Sequence, residues 1–313
     1  MTQARRILVT GATGYIGGSL APHLVQTGYR VRVMVRNPDR LKGRGWADRV
    51  EVVVGDALKP ETLPPALEGV DAAYYFLHSL YAGPNFHEMD LRAAQSFSHA
   101  AGQAGVGRIL YLGGLGNPAD PLSPHLRSRQ ETGAALTEGG VPVTEFRSAI
   151  VIGSGSGSFE MIRYLTERIP LMTSPRWVRS RIQPIAIEDV LVYLTAALET
   201  PESAGQVIEI GGTDVMTYGD TLRAYARIRG LRRRVLILPV LTPGLSSHWV
   251  GWVTPVSARI ARPLIEGLRY DIVVREEGAQ RLFPEIHPID YRTAVQRALA
   301  DLHPARVDTE WLD

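Results

Sequence analysis

Short apolar runs and helix-spaced apolar stripes alternate through the first half of the chain. Ile7-Leu8-Val9 is a continuous apolar run of strand type, and Ile16, Leu20 and Leu24 recur at the spacing of one helix face. Further strand-type segments fall at 31–35, 50–54, 72–77, 108–112 and 141–146, and helix-type segments at 86–104 and 124–138. This alternation predicts an α/β fold, a doubly wound parallel sheet of the Rossmann type with ligands at the carboxyl ends of its strands. At 313 residues the chain is long for one sheet-and-helix unit, so a smaller C-terminal substrate lobe is expected beside the sheet.

Between the first strand and helix lies Thr10-Gly11-Ala12-Thr13-Gly14-Tyr15-Ile16-Gly17-Gly18. Gly11 and Gly14 allow a tight turn and close approach of the backbone to a ligand, and Gly17 allows the helix to sit against the strand. The free amides at the helix start, with the positive end of its dipole, suit a pyrophosphate. The spacing is G-x-x-G-x-x-G, and its place between strand and helix carries the dinucleotide reading. The second strand ends in Arg36, followed by Asn37-Pro38-Asp39-Arg40, where an NAD site would place a carboxylate. A guanidinium can hold a 2′-phosphate bidentately, so NADP(H) is preferred and NAD(H) remains open. Asp56, at the end of the third strand, either reaches the adenine amino group or caps its own turn. Gly11, Thr13, Gly14, Tyr15, Ile16, Gly17, Arg36, Asp56, Leu77 and His78 form the expected cofactor set.

Composition narrows the chemistry. The chain has no cysteine, which excludes disulfides, thiolate nucleophiles and Cys-ligated metals. A net charge of +2 gives no general signal for polyanions, so no nucleic-acid partner is expected. The N-terminus runs directly into the first strand, which makes the cytoplasm the default expectation.

The motifs Thr10–Gly17, Gly55-Asp56 and Phe146-Arg147-Ser148-Ala149-Ile150-Val151-Ile152-Gly153 resemble the extended or atypical branch of the short-chain dehydrogenase/reductase superfamily. Gln183-Pro184-Ile185-Ala186-Ile187-Glu188-Asp189-Val190 is similar to the segment that returns to the cofactor domain in that branch. More narrowly, Tyr74–Ser79, Tyr111–Gly116 and Ser123–Arg129 look like NmrA-like NAD(P)H-binding proteins. The resemblance implies a cofactor domain over 1–152, with 181–211 returning to it, and a smaller lobe from 153–180 and 212–313.

The departures from that pattern are chemical. Active members of the superfamily usually carry Tyr-x-x-x-Lys, in which the Lys holds the ribose and lowers the Tyr pKa. No Tyr here precedes a Lys by four, and the two lysines, Lys42 and Lys59, lie early in the chain. His125 and Arg129 occupy the equivalent helix positions, and Gly113-Gly114 replaces the usual Ser. His125 is the candidate acid or base, and Arg129 the candidate ribose or phosphate anchor. Three interpretations stay open: a reductase of a small apolar carbonyl, enone or quinone-like compound; a non-catalytic NADP(H) sensor or assembly factor; and an unusual isomerase with a held cofactor.

His78, Ser79 and Tyr81 are expected to line the substrate mouth. His87, Glu88 and Asp90 lie near in sequence, but Gly83, Pro84 and the absence of H-x-x-x-H argue against a metal. Gly153–Ser158 reads either as a bland hinge or as a turn that accommodates ligand, with Ser158 capping the next helix. Arg176 and Trp177 suggest a surface stack. Thr217 should cap a helix over 218–229, and the basic run Arg223, Arg227, Arg229, Arg232, Arg233, Arg234 should be a solvated face. Residues 235–257 carry no formal charge, but Pro239, Pro243 and Pro255 break the run. A strand followed by a short helix carrying Trp249 and Trp252 is expected there, packed in the smaller lobe or, alternatively, facing lipid. Membrane association is not the expected state, and the oligomeric state is not specified.

Overall fold

A computed structural model describes residues 5–79, 85–117, 119–174, 176–237, 267 and 270–302. Tyr81, Trp249, Trp252 and the side chains of Arg176 and Trp177 lie outside what is described.

The apolar runs form seven strands: β1 (Arg6–Thr10), β2 (Arg30–Val35), β3 (Glu51–Val54), β4 (Ala72–Tyr75), β5 (Arg108–Gly114), β6 (Val143–Ser148) and, much later, Val207–Ile210. They join in one sheet in the order Val207–Ile210, β6, β5, β4, β1, β2, β3, and every neighbouring pair is parallel. The chain moves outward from β1 to β3, then returns to place β4 on the other side of β1. The C-terminal ends of β1 and β4 therefore flank a topological switch point, the crevice where such sheets bind ligands.

Helices cover both faces of the sheet. Helix α1 (Tyr15–Gln26) packs on β1 and β2 through Leu20, Ala21 and Leu24. On the opposite face lie α2 (Leu63–Leu67), α3 (Phe86–Gln103) and α4 (Pro124–Ala135), around Leu63, Phe97, Tyr75 and Tyr111. Because both faces are covered, alternation along β2 does not mean exposure on one side: Arg32 and Met34 are as buried as Val31 and Val33. Arg32 is tolerated there because its Nη1 donates to the carbonyls of Pro65, Ala66 and Glu68 at the end of α2, and its Nη2 pairs with Glu51 at 2.8 Å. Here a buried cation satisfies a helix C-terminus.

After β6 the chain forms β7 (Val151–Ile152) and α5 (Gly157–Arg168), then β8 (Leu171–Ser174), β9 (Arg181–Ile182) and β10 (Ile185–Ala186). Helix α6 (Ile187–Glu199) leads back to the seventh main-sheet strand, β11 (Val207–Ile210). Then follow β12 (Met216–Thr217), α7 (Tyr218–Ile228) and β13 (Arg234–Ile237). Three two-stranded pairs, β10 with β7, β12 with β9 and β13 with β8, accompany a second core around Phe159, Ile162, Val178, Tyr218, Tyr225 and Val295. Gln183 ties this region together by donating to the Gly212 carbonyl and accepting from the Val274 amide.

Two local expectations change. Helix α5 starts two residues earlier than expected: Ser156 is its N-cap residue, and Ser158 lies within the helix. The Ser156 hydroxyl turns back to donate to the Val151 carbonyl, so no side chain caps this helix. The basic run is mostly exposed, but Arg233 is half-buried and donates to the Thr166 and Glu167 carbonyls at the end of α5. That contact suits a cation at a helix C-terminus. Thr217 caps α7 as expected, in a reciprocal box with Asp220.

The Arg32 arrangement makes a measurable claim. Arg32→Ala should lower the unfolding free energy by about 2–4 kcal/mol, since it strands several carbonyls at once. Urea unfolding of the two chains checks this, and a loss below about 0.5 kcal/mol would mean water replaces the guanidinium freely.

Candidate functional site

The glycine loop is shaped by close packing at the switch point. Gly11 has φ of +65°, and a Cβ there would stand 2.6 Å from the Phe76 carbonyl oxygen, just past β4. A Cβ on Gly17 would stand 2.5 Å from the Gly11 carbonyl oxygen. At Gly14 only that same oxygen comes near, at 3.3 Å, which leaves the outer side of the turn open. The Thr10 hydroxyl stitches β1 to β4, donating to the Tyr74 carbonyl and accepting the Phe76 amide. Helix α1 begins at Tyr15 with no side-chain cap and no acidic residue in its first turn. Its leading amides and dipole are thus available to an anion in that open space, as a pyrophosphate requires.

Tyr15 faces the other way. Its hydroxyl fills the space a Cβ on Gly153 would need, and burial beside Glu188 and Glu160 pushes its pKa up. Gly153 is therefore required by Tyr15. The Gly153–Gly157 segment is a hydrogen-bonded turn, with the Ser156 amide on the Gly153 carbonyl and the Gly155 amide on Glu160.

The expected ribose end lies at the carboxyl ends of β2 and β3. Arg36 is exposed immediately after β2 and makes no ion pair among the described residues. Asp56 accepts the Leu58 amide at 3.1 Å, so it does cap its own turn. Arg44 was not legible as a site residue. It donates to the Thr13 carbonyl at 2.7 Å and lies within 2.6 Å of where a Gly18 Cβ would be. A second guanidinium therefore sits on the glycine loop itself.

On the far side of the switch point, Leu77 packs partly into the core and His78 follows it. The fold brings His78 to His125, at the start of α4, with Nε2 and Nδ1 3.3 Å apart. The Nδ1 of His78 also meets the Asp90 carboxylate on α3 at 2.6 Å. Asp90 is 3% exposed and accepts the Ser79 amide on its other oxygen. Asp90 was read only as a possible metal neighbour. Its role as the partner of His78 had no sequence signal, because α3 must fold back to create it. Among the described residues, no group of three or more His, Asp or Glu side chains could hold a metal.

Both imidazoles are hard to protonate. Burial lowers the His78 pKa, and Asp90 only partly offsets it. His125 is pushed down to about 3 by burial, by His78 and by Arg129. Asp90 is held below the usual carboxylate range through its bonds to His78 and Ser79, despite the opposing cost of burial. The resting pair at neutral pH is therefore two neutral rings beside a carboxylate.

Arg129 stands one helical turn from His125. Its Nη2 donates to the Leu112 carbonyl, its guanidinium lies 4.8 Å above the Tyr111 ring, and the Tyr111 hydroxyl donates to its carbonyl. A side chain at Gly113 or Gly114 would collide with Glu145 or Leu126, at 2.9 and 2.6 Å.

Known proteins are similar to this chain in sequence and in fold. Residues 11–138 match the family model described as NAD(P)H-binding. The ceramide reductase of Caulobacter vibrioides is 27% identical over 250 residues, covering 78% of each chain. The photosystem II assembly factor Ycf39 of Trieres chinensis is 22% identical over 264 residues, 82% of this chain and 80% of that one. Among solved structures, Escherichia coli NADPH-dependent quinone oxidoreductase QOR2 in complex with NADPH superposes with a TM-score of 0.74 at 18% identity, covering 94% and 99%. Residues 11–138 thus match an NAD(P)H-binding domain, and the Rossmann-like fold expected from the sequence is borne out. Among the described residues, no helix is long and apolar enough to cross a membrane.

The histidine pair predicts a pH dependence of stability. An unfolded imidazole takes up a proton near 6.5, whereas the folded His125 does so only near 3. Between those values the unfolded chain binds more protons, so stability is full above the upper value and falls as pH drops. The slope is at most ~1.4 kcal/mol per pH unit for each histidine. Denaturant melts from neutral to acid pH check this, and His125→Gln should flatten the slope.

Proposed function

We propose that this chain is an NADP(H)-dependent reductase of a small, largely apolar carbonyl, enone or quinone-like compound. The observation that carries this reading is the half-buried pair of imidazoles that follows β4, the strand packed against the glycine loop. His78 lies two residues past Phe76, whose carbonyl touches Gly11, so proton-handling groups and nucleotide cradle share one crevice. Gly11, Thr13, Gly14, Tyr15, Ile16 and Gly17 would hold the pyrophosphate through the loop and helix start. Arg36 and Arg44 would favour a 2′-phosphate, and Asp56 and Leu77 would border the adenosine and nicotinamide ends. The bound nucleotide would supply hydride; the protein must orient the acceptor and manage one proton.

In this reading His125 exchanges that proton with the substrate oxygen. Arg129, fixed on β5, keeps positive charge beside the rings, and its remaining donors would anchor the ribose or a phosphate. The ceramide reductase relative supports reduction as the reaction class. A second reading, a cofactor-sensing or assembly protein, is favoured by the Ycf39 relative and by the missing Tyr-x-x-x-Lys. For the domain plan we propose 1–152 with 181–211 as the cofactor unit and the remainder as the substrate lobe; the pairing of β11 with β6 supports it.

Fluorescence titration with NADPH and NADH, followed by a screen of quinones and enones for NADPH loss, separates these readings. Arg36→Asp should weaken NADPH at least about tenfold, roughly 1.4 kcal/mol, and spare NADH. His125→Ala should lower turnover by about 10²–10⁴ with cofactor affinity retained. Tight NADPH binding with no turnover on any acceptor would favour the sensor.

A further inference from the structure

Asp90 lies on neither the glycine loop nor the helix that carries His125, yet it ends the hydrogen-bonded chain Asp90–His78–His125. A carboxylate accepts only, so the hydrogen between Asp90 and His78 sits on His78 Nδ1. A neutral imidazole carries one hydrogen, which leaves His78 Nε2 as a lone pair. That lone pair, 3.3 Å from His125 Nδ1, can only accept, so the hydrogen of His125 also sits on Nδ1. His125 Nε2 is then left bare. The alternative orientation would set two lone pairs against each other at His78 Nδ1 and Asp90.

From this chain of constraints we propose that Asp90 is a positioning residue that fixes the polarity of a two-histidine relay and makes His125 Nε2 the proton acceptor of the resting site. The proposal deepens the reductase reading and rests on it for its chemical meaning. In alcohol oxidation, the substrate O–H bond breaks, its proton forms an N–H bond at His125 Nε2, and hydride leaves carbon for NADP⁺. In reduction, His125 Nε2 would first take up a proton from hydronium, which becomes water, and would then give it to the substrate oxygen as carbon receives the hydride of bound NADPH. The charged and titratable groups around the relay are Asp90 from α3, Arg129 from α4, Tyr75 from β4 and Tyr111 from β5. Only Asp90 draws a proton toward the rings; Arg129 opposes it, and both tyrosines stay neutral because burial pushes their pKa values up. Reduction should therefore quicken as pH falls, whereas alcohol oxidation should slow.

The Ser79 amide makes the proposal sharp. It donates at 2.6 Å to Asp90 Oδ1, the oxygen not used by His78. In Asp90→Asn the amide oxygen would stay on Ser79, and the amide NH₂ would face His78 Nδ1. His78 would then have to carry its hydrogen on Nε2, donate to His125 Nδ1, and force His125 onto Nε2 as well. One substitution of nearly equal volume reverses both rings, as a wrong tautomer does in hydrolase triads.

Nitrogen-15 imidazole spectra of the full chain, assigned with His78→Gln and His125→Gln, read this directly. At neutral pH both native rings should be neutral Nδ1–H tautomers, and both should become Nε2–H in Asp90→Asn. An Nε2–H ring or an imidazolium at either position in the native protein overturns the proposal, even if the variant fails to fold. Unchanged tautomers in a folded Asp90→Asn overturn it equally. In kinetics with phenanthrenequinone as acceptor, Asp90→Asn should lower kcat about 10²–10⁴-fold, flatten its pH profile and leave NADPH affinity within about twofold. Asp90→Glu should restore part of the rate and the slope. Correct tautomers with no turnover on any carbonyl would sink the reductase reading and leave the relay standing.

Discussion

The contact of Gly11 with the Phe76 carbonyl is the constraint on which the rest of the site depends. The order in which strands are added reverses between β1 and β4, and at that point two backbone segments must leave adjacent parallel strands without colliding. Gly11 manages this at positive φ with no side chain, and Thr10 locks the two strands through one hydroxyl that both donates and accepts. Any Cβ at position 11 would push Phe76 away. The helix start would then lose its place, and so would the segment that carries Leu77 and His78. Nucleotide cradle and imidazole pair are thus two consequences of one close approach.

Electrostatics then decides what the pair can do. Removing an imidazole from water disfavours its cation, and a second imidazole and Arg129 disfavour it further. Asp90 counters this for His78 but lies one ring away from His125. The outcome is graded: an ionised carboxylate, a neutral ring bonded to it, and a neutral ring whose second nitrogen is left for substrate. Tyr111 contributes from below, since its ring carries the Arg129 guanidinium and its hydroxyl holds the Arg129 carbonyl. The second turn of α4 is thereby fixed to β5.

Much of the fold was legible because parallel strands covered on both faces read as apolar runs, and each is followed by a helix. The glycine loop was legible because its function is local: turn, helix start and strand lie within a dozen residues. Other features were hidden by sequence distance. Arg32 stood only within a strand-type segment, and it bonds carbonyls 33 to 36 residues away. Asp90 meets His78 only after α3 folds over β4, and Arg44 reaches Thr13 from a turn 31 residues on. Ser156 and Ser158 compete for one helix start, and the choice was made by the Val151 carbonyl. The His125–Arg129 pair was found by analogy with a one-turn spacing; its environment, which keeps the histidine neutral, was not in the spacing.

The buried polar cluster also weighs on the choice between catalyst and sensor. A protein that only reports nucleotide occupancy needs the loop, the helix start and the cations at the ribose end. It gains nothing from a carboxylate and two imidazoles placed in a crevice. Burying that carboxylate costs several kcal/mol before its bonds offset the loss, and apolar side chains of similar volume would often be more stable. Groups held at such a cost, with pKa values displaced by their surroundings, are the kind that move protons. The assembly-factor relative is similar to most of this chain, and a scaffold does not assign a reaction. The histidines are where the two readings part.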